Sequence, residues 1–229
     1  MANGNCTRTG RIFNGIAYQV NKHFFKSAGI GQNFGDILRV MQGFTDAELV
    51  KKYLGGEQLA LEELVRRYFK QVFFFAKTFV KQDQEAEDIT QEAFVKAWKN
   101  LKKFDAEKKF KTWIFQITKN TCIDYLRKNK NMLSAESLEE QQMALSLEQM
   151  QDQEPLPEQL FDSQGFETQL EEILTGLPQS YRQTVTLRLQ QDLSFAEIAE
   201  ILNQPLNTVK SRYRRALLDI RQRLAPKNQ

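Results

Sequence analysis

The chain has 229 residues, enough for one or two domains, with 32 Lys and Arg against 29 Asp and Glu and a net charge of +3. Two distant cysteines, Cys6 and Cys122, and a single histidine, His23, exclude a disulfide scaffold and a zinc site and suit a reducing cytoplasm. No apolar run reaches membrane-spanning length and no signal-peptide core is visible, so membrane insertion is not expected.

Residues 1–44 are rich in Gly and Asn and show only broken apolar periodicity. This leader is read as a disordered, dispensable extension lying ahead of the native translation start, with a genuine flexible extension as the alternative. Helix signals begin at Thr45 or Asp46, either of which can cap, with Glu48 in the first turn. Asp46 to Leu54 reads as a first helix ended by Gly55 and Gly56.

A longer helix is expected from Gln58 to Lys81, with Leu61, Leu64, Val65, Tyr68, Val72, Phe75, Ala76 and Phe79 on its core side. Phe73, Phe74 and Phe75 make it apolar nearly all round, as a central helix would be. The third helix, Gln84 to Leu101, buries Ala86, Ile89, Ala93, Phe94, Ala97 and Leu101. Its opposite face carries Asp88, Gln91, Glu92 and Lys99 around Val95, and Trp98 flanks the core. An apolar residue amid charges there is either a scattered surface valine or a protein contact.

The next stretch interleaves Phe104 and Phe110 with Lys102, Lys103, Lys108, Lys109 and Lys111. Cations alternating with aromatics fit a single-stranded nucleic acid, whose phosphates and base faces need one of each. A helix through Lys128 follows. Phe110, Ile114, Ile117, Thr121 and Tyr125 fall on one side of it, and Phe115, Ile123 and Leu126 on another. Between them runs a strip of Lys109, Trp113, Gln116, Asn120 and Arg127, edged by Asp124. The strip is either the wet edge of a buried helix or a surface for bases and phosphates.

From Asn131 to Phe166 there is no Lys or Arg, while Glu136, Glu139, Glu140, Glu148, Asp152, Glu154, Glu158 and Asp162 recur among glutamines. Pro155 and Pro157 break any helix there, so the segment reads as a flexible acidic linker. A second helical domain begins at Glu167. Ser194 and Glu197 make a capping box for a short helix to Leu202; a turn with Pro205 follows, and Asn207 or Thr208 can cap a last helix to Leu224. This is helix-turn-helix spacing. The last helix is expected to bury Val209, Tyr213, Ala216, Ile220 and Leu224. Ser211, Arg214 and Arg215 lie opposite, flanked by Lys210 and Arg212, where bases and phosphates would be met. The fold class is therefore all-α, with two small helical domains (45–130 and 167–229) joined by a linker (131–166).

Residues 45–225 resemble the small, two-domain sigma factors of bacterial RNA polymerase, the extracytoplasmic-function group (group IV) of the sigma-70 family. AEDITQEAFVKAW resembles the helix that binds core polymerase, FKTWIFQITKNTCIDYLRK the segment that melts and reads the minus-ten element, and LSFAEIAEILNQPLNTVKSRYRRA the reader of the minus-thirty-five element. The resemblance implies that Asp88, Gln91, Glu92, Val95 and Lys99 dock on the β′ clamp. It implies that Phe104, Lys108, Lys109, Lys111, Trp113, Gln116, Asn120 and Arg127 handle the opened strand, with a flipped base pocketed by the loop from Phe104 to Lys109. Asp124 and Arg127 match a recurrent pair, Asp124 being partly structural. Asn207, Thr208, Lys210, Ser211, Arg212, Arg214 and Arg215 would then read duplex DNA. Asn207 stands where the family often has glycine.

The implied partners are core polymerase (β′ and β subunits) and promoter DNA, double-stranded and melted; the family often has an anti-sigma factor. No catalysis, metal or cofactor is implied, and the linker would thread toward the basic channels of the polymerase. The competing reading is an autonomous helix-turn-helix regulator, which leaves the Val95 face and the Lys/Phe loop unexplained. A nucleic-acid enzyme would need a phosphate loop, metal cluster or nucleophile–base set, and the sequence offers none.

Overall fold

The computed structural model describes residues 41, 43–105, 107–129 and 174–224. The acidic linker, most of the leader and the side chain of Leu224 lie outside the described residues. Every described element is helical.

Helix α1 (Asp46–Leu54) is started by Thr45, whose N–H donates to Glu48 Oε2 at 2.7 Å while the Glu48 N–H donates back to Thr45 Oγ1 at 3.3 Å. This reciprocal cap satisfies two otherwise orphaned amide groups. Backbone and hydroxyl hydrogen bonds from Thr45 also hold the Glu48 carboxyl below its ordinary pKa. Gly56, at φ +101°, makes the left-handed exit that a side chain would strain.

Helix α2 (Gln58–Lys77) is the central element. Leu64, Val72, Phe75 and Ala76 are fully buried, and Phe75 meets Phe79 and Phe115 edge-on at 5.3 Å each. Burying side chains of this size contributes roughly 1.5–3 kcal/mol apiece. The helix stops four residues short of the expected Lys81. The Thr78 hydroxyl donates to the Phe75 carbonyl at 2.7 Å and the last amides bond three residues back, which tightens the final turn.

Two acids at the start of α2 are buried, which apolar periodicity does not foretell. Glu63 accepts from Arg66 and Arg67 at 2.7–2.8 Å, and Arg67 reaches on to Asp46 at 3.0 Å and to the Met41 carbonyl at 3.2 Å. The Tyr68 hydroxyl also donates to Asp46. These bonds fasten α1 onto α2. Met41 is 6% exposed within the first core, and Phe44 packs against it. An apolar residue and a carbonyl just ahead of residue 45 thus have partners on α2.

Helix α3 (Asp83–Asn100) buries Ala86, Ile89, Ala93, Phe94 and Ala97, with Leu101 opening a tight 3₁₀ turn to Lys103. Helix α4 (Phe110–Lys128) lies against α2 and α3. It buries Phe110, Ile114 and Phe115, and also Thr118, Thr121 and Cys122. The Thr118 and Thr121 hydroxyls donate to carbonyls one turn back at 2.8 Å, so they are satisfied without an outside partner.

In the second domain α5 (Gln179–Val185) widens into a π-helical turn over Thr186–Gln190. Helix α6 (Phe195–Leu202) begins at Ser194, whose N–H donates to Glu197 Oε2 at 2.8 Å while the Glu197 N–H returns to Ser194 Oγ at 3.3 Å. It ends at Asn203 in the left-handed region (φ 53°, ψ 52°), a conformation asparagine tolerates. Helix α7 (Leu206–Leu224) then starts directly after Pro205. Asn207 and Thr208 lie within its first turn rather than capping it, because the chain reversal is completed at Asn203 and proline supplies a helix-compatible φ before the first helical residue. Val209, Tyr213, Ala216, Leu217 and Ile220 of α7 are buried; Phe195 meets Tyr213 edge-on at 5.3 Å.

The domains touch. Leu187, Leu193, Ile198, Ile201, Leu202 and Val209 belong to the same apolar cluster as Leu64, Phe75, Phe110 and Phe115, and α6 packs along α4.

Candidate nucleic-acid and polymerase interface

Because α3 turns its small residues inward, one outward stripe carries Asp88, Gln91, Val95 and Lys99, all exposed, with Glu92 partly covered. Val95 is 40% exposed, one of four large apolar side chains so open among the described residues. Glu92 pairs with Lys96 at 3.0 Å, and Lys96 reaches Asp124 of α4 at 3.3 Å. Glu87 sits beside the stripe; burial, then Asp88 and Asp83, raise its carboxyl above the usual range. The stripe therefore offers an apolar spot framed by acids, suited to a basic, partly apolar partner helix.

The second surface starts at the loop before α4. Phe104 lies 5.1 Å from Trp113 and 5.7 Å from Phe110, and Phe110 is 5.4 Å from Tyr68, all measured between ring centroids. Phe110 is buried, while Phe104 and Trp113 stay half-exposed at the edge of this aromatic stack. Lys108 and Lys109 stand exposed beside it, and Gln116, Asn120 and Arg127 continue along α4. Half-open rings next to cations and amides can stack bases, grip phosphates and bond base edges.

The third surface is the start of α7. Asn207 is exposed, and Thr208, Lys210, Ser211, Arg212, Arg214 and Arg215 are half-exposed. The Ser211 hydroxyl donates to the Asn207 carbonyl at 2.8 Å, leaving its oxygen as an acceptor. Four cations near a helix N-terminus favour phosphate, and arginine can also pair with guanine.

Two family models match: Sigma-70 region 2 over residues 64–132, and Sigma-70, region 4 over residues 167–220. The chain is 33% identical over 177 residues to the ECF RNA polymerase sigma factor SigW of Bacillus subtilis, covering 76% of this chain and 94% of that protein. It is 32% identical over 187 residues to the ECF RNA polymerase sigma-E factor of Escherichia coli, covering 80% and 95%. The chain belongs to the ECF sigma factors of the sigma-70 family.

Among solved structures, CnrH in complex with the cytosolic domain of CnrY shares the fold at a TM-score of 0.54 and 23% identity, covering 78% of this chain and 96% of that one. The sigma factor RpoE of Bartonella quintana, in complex with the anti-sigma factor NepR, does so at 0.51 and 20%, covering 72% and 97%.

In this sigma factor the side of α4 that carries Lys109 and Gln116 is not open along its length. Lys109 pairs with Glu197 of α6 at 2.8 Å, Gln116 Nε2 donates to Glu200 Oε1 at 3.1 Å, and the Lys111 ammonium donates to the Gln191 carbonyl. Burial lowers the pKa of Lys111. Glu197 is driven the other way: burial alone would raise its carboxyl, but Lys109 and the Ser194 hydroxyl and N–H outweigh that and bring it to about 2. Sequence reading found Lys109, Lys111 and Gln116 but not their partners. Glu197 was visible only as a cap, and no periodicity reveals which distant helix a surface carboxylate faces. Lys96, which joins the first surface to α4, was likewise missed.

Proposed function

We propose that the protein binds core RNA polymerase through the Val95 face of α3, holds the opened minus-ten strand along Phe104, Lys108, Lys109, Lys111, Trp113, Gln116, Asn120 and Arg127, and reads duplex minus-thirty-five DNA with the start of α7. It directs polymerase to promoters and promotes melting. Unstacked bases taken up by aromatic and amide contacts, worth roughly 1–3 kcal/mol each, offset the cost of opening the duplex. The protein performs no bond-making chemistry of its own in this reading, works in the cytoplasm and falls in group IV. Among the described residues no cluster suits a metal ion and no helix is long and apolar enough to cross a membrane. The solved relatives bound to CnrY and NepR make an anti-sigma partner a natural regulator here.

The observation that carries the reading is the sorting of α4. Its buried set is apolar or hydroxyl-bearing apart from Cys122, while Gln116, Asn120 and Arg127 run along the side that carries Trp113, half-exposed and 5.1 Å from Phe104. Reconstitution with purified core polymerase on a library of duplex promoters tests it. Promoter-specific initiation that depends on the added chain is expected. Specific duplex binding without polymerase, and no initiation with it, would instead make the chain an autonomous regulator.

A further inference from the structure

We propose that Leu206 and Asn207 form a base-reading tip on α7 that selects A·T pairs: Leu206 meets a thymine methyl group, and the Asn207 amide pairs with an adenine edge in the major groove. The inference rests on the reading of α7 as the helix that meets duplex DNA, and adds the class of base its first turn accepts.

The cations of α7 do not account for its first turn. Leu206 is 41% exposed, one of the four large apolar side chains so open among the described residues, and Asn207 beside it is exposed as well. The Asn207 amide is not consumed by capping. The helix starts at Leu206, and the Pro205 carbonyl takes the first helical bond, from the Val209 N–H at 3.1 Å. Asn207 accepts from the Ser211 hydroxyl through its backbone carbonyl, at 2.8 Å, while its side-chain amide makes no hydrogen bond among the described residues. The turn is nonetheless held in place. Leu202 and Val209 are buried on its inner side, and the left-handed Asn203 completes the chain reversal before it. Leu206 and Asn207 are thus presented outward from a fixed backbone.

Helical spacing puts these two side chains at the heads of two rows. Leu206, Lys210 and Arg214 follow one another at four-residue steps, and Asn207, Ser211 and Arg215 run beside them. A recognition helix meets base edges with its N-terminal residues, so the heads of the rows face bases. In the major groove thymine presents a methyl group, and adenine presents N7 as acceptor beside N6 as donor, which a carboxamide matches with two hydrogen bonds. An apolar side chain next to an amide therefore asks for the two halves of A·T pairs, whereas the cations further along ask for phosphate or guanine. Glycine, which the family often has at position 207, has no amide to offer, so this half of the tip belongs to this chain.

The test uses the full chain assembled with core polymerase and duplex promoters with a randomised upstream element, from which the bound fraction is selected. In the selected element each thymine is replaced singly by deoxyuridine, which lacks only the methyl group, and each adenine by 7-deazaadenine, which lacks the N7 acceptor. Competition against the unmodified duplex gives a ratio for each replacement. For the parent, one deoxyuridine should weaken binding roughly fourfold and one 7-deazaadenine roughly fivefold or more. Leu206→Ala should abolish the first response and keep the second; Asn207→Gly should do the reverse. Each ratio is taken within one protein, so a general loss of affinity in a variant cancels. An element selected without A·T pairs, a parent indifferent to either replacement, or a variant that keeps the response it should lose overturns the tip alone. Selection of no upstream element, or of one that Arg214→Ala with Arg215→Ala leaves undisturbed, overturns the underlying reading of α7 instead.

Discussion

Asp124 of α4 lies 3.3 Å from Lys96 of α3, closer than the 3.9 Å that separates it from Arg127 on its own helix. Lys96 is shared with Glu92, so a single ammonium joins the Val95 stripe of α3 to α4. Both carboxylates are substantially solvent-exposed, at 41% and 46% of their side chains. Lys96→Met should therefore cost no more than about 1 kcal/mol of folding stability. Urea denaturation of the parent and variant at low and high salt checks this, the difference shrinking as salt rises.

Val95 gives a cleaner separation of folding from assembly. Its side chain is 40% exposed on the outward stripe of α3, away from the buried Ala93, Phe94 and Ala97. Val95→Asp should leave stability within about 0.5 kcal/mol of the parent, as surface changes usually do. It should weaken association with core polymerase by roughly tenfold or more, because a charge replaces the apolar centre of the contact. Competition against a labelled sigma factor for core polymerase measures the loss; a variant that competes as well as the parent would remove Val95 from the interface.

The stripe of α3 was fully legible because alanines at helical spacing leave one way to turn. Ala86, Ile89, Ala93, Phe94, Ala97 and Leu101 are all buried, as their period demands. On α4 the same method found the polar strip but missed Thr118 and Cys122, since a threonine that bonds its own backbone can be buried at no visible cost in pattern. The early end of α2 was illegible for a related reason: the Thr78 hydroxyl competes for a carbonyl the helix would use. Glu63 is buried because Arg66 and Arg67 are one turn away, a pairing the sequence permits but does not require. The contact between α6 and α4 could not be read at all, because Glu197 and Glu200 look like solvent-facing residues until the second domain is placed.

Glu62 should make folding depend on pH near neutrality. It is 4% exposed, and neither carboxylate oxygen has a hydrogen-bond partner among the described residues. Burial alone lifts its pKa from 4.5 to about 7. A raised folded-state value means that the protonated acid is favoured in the fold, so its full contribution is present below pH 4.5 and is lost as pH rises through about 7. Glu62→Gln keeps the size and cannot ionise. Urea midpoints at acidic and alkaline pH should show the parent losing up to about 3 kcal/mol relative to this variant across that window. Parallel pH profiles for the two proteins would mean that water or a neighbouring group satisfies the carboxylate.

Asn120 offers the sharpest test of the α4 strip. It is exposed one turn beyond Gln116, on the side that carries Arg127, and it lies outside the buried set of the helix. Asn120→Ala should leave stability and core polymerase affinity unchanged, because neither the core nor the Val95 stripe uses it. Loss of an amide's paired hydrogen bonds to a base edge is worth roughly 1–3 kcal/mol, which predicts about a tenfold fall in initiation from duplex promoters. A template whose minus-ten region is already mismatched has paid the melting cost by other means, so initiation from it should fall much less. Equal loss of initiation and of polymerase binding would return Asn120 to a structural role and leave the aromatic edge at Phe104 and Trp113 as the whole of the strand surface.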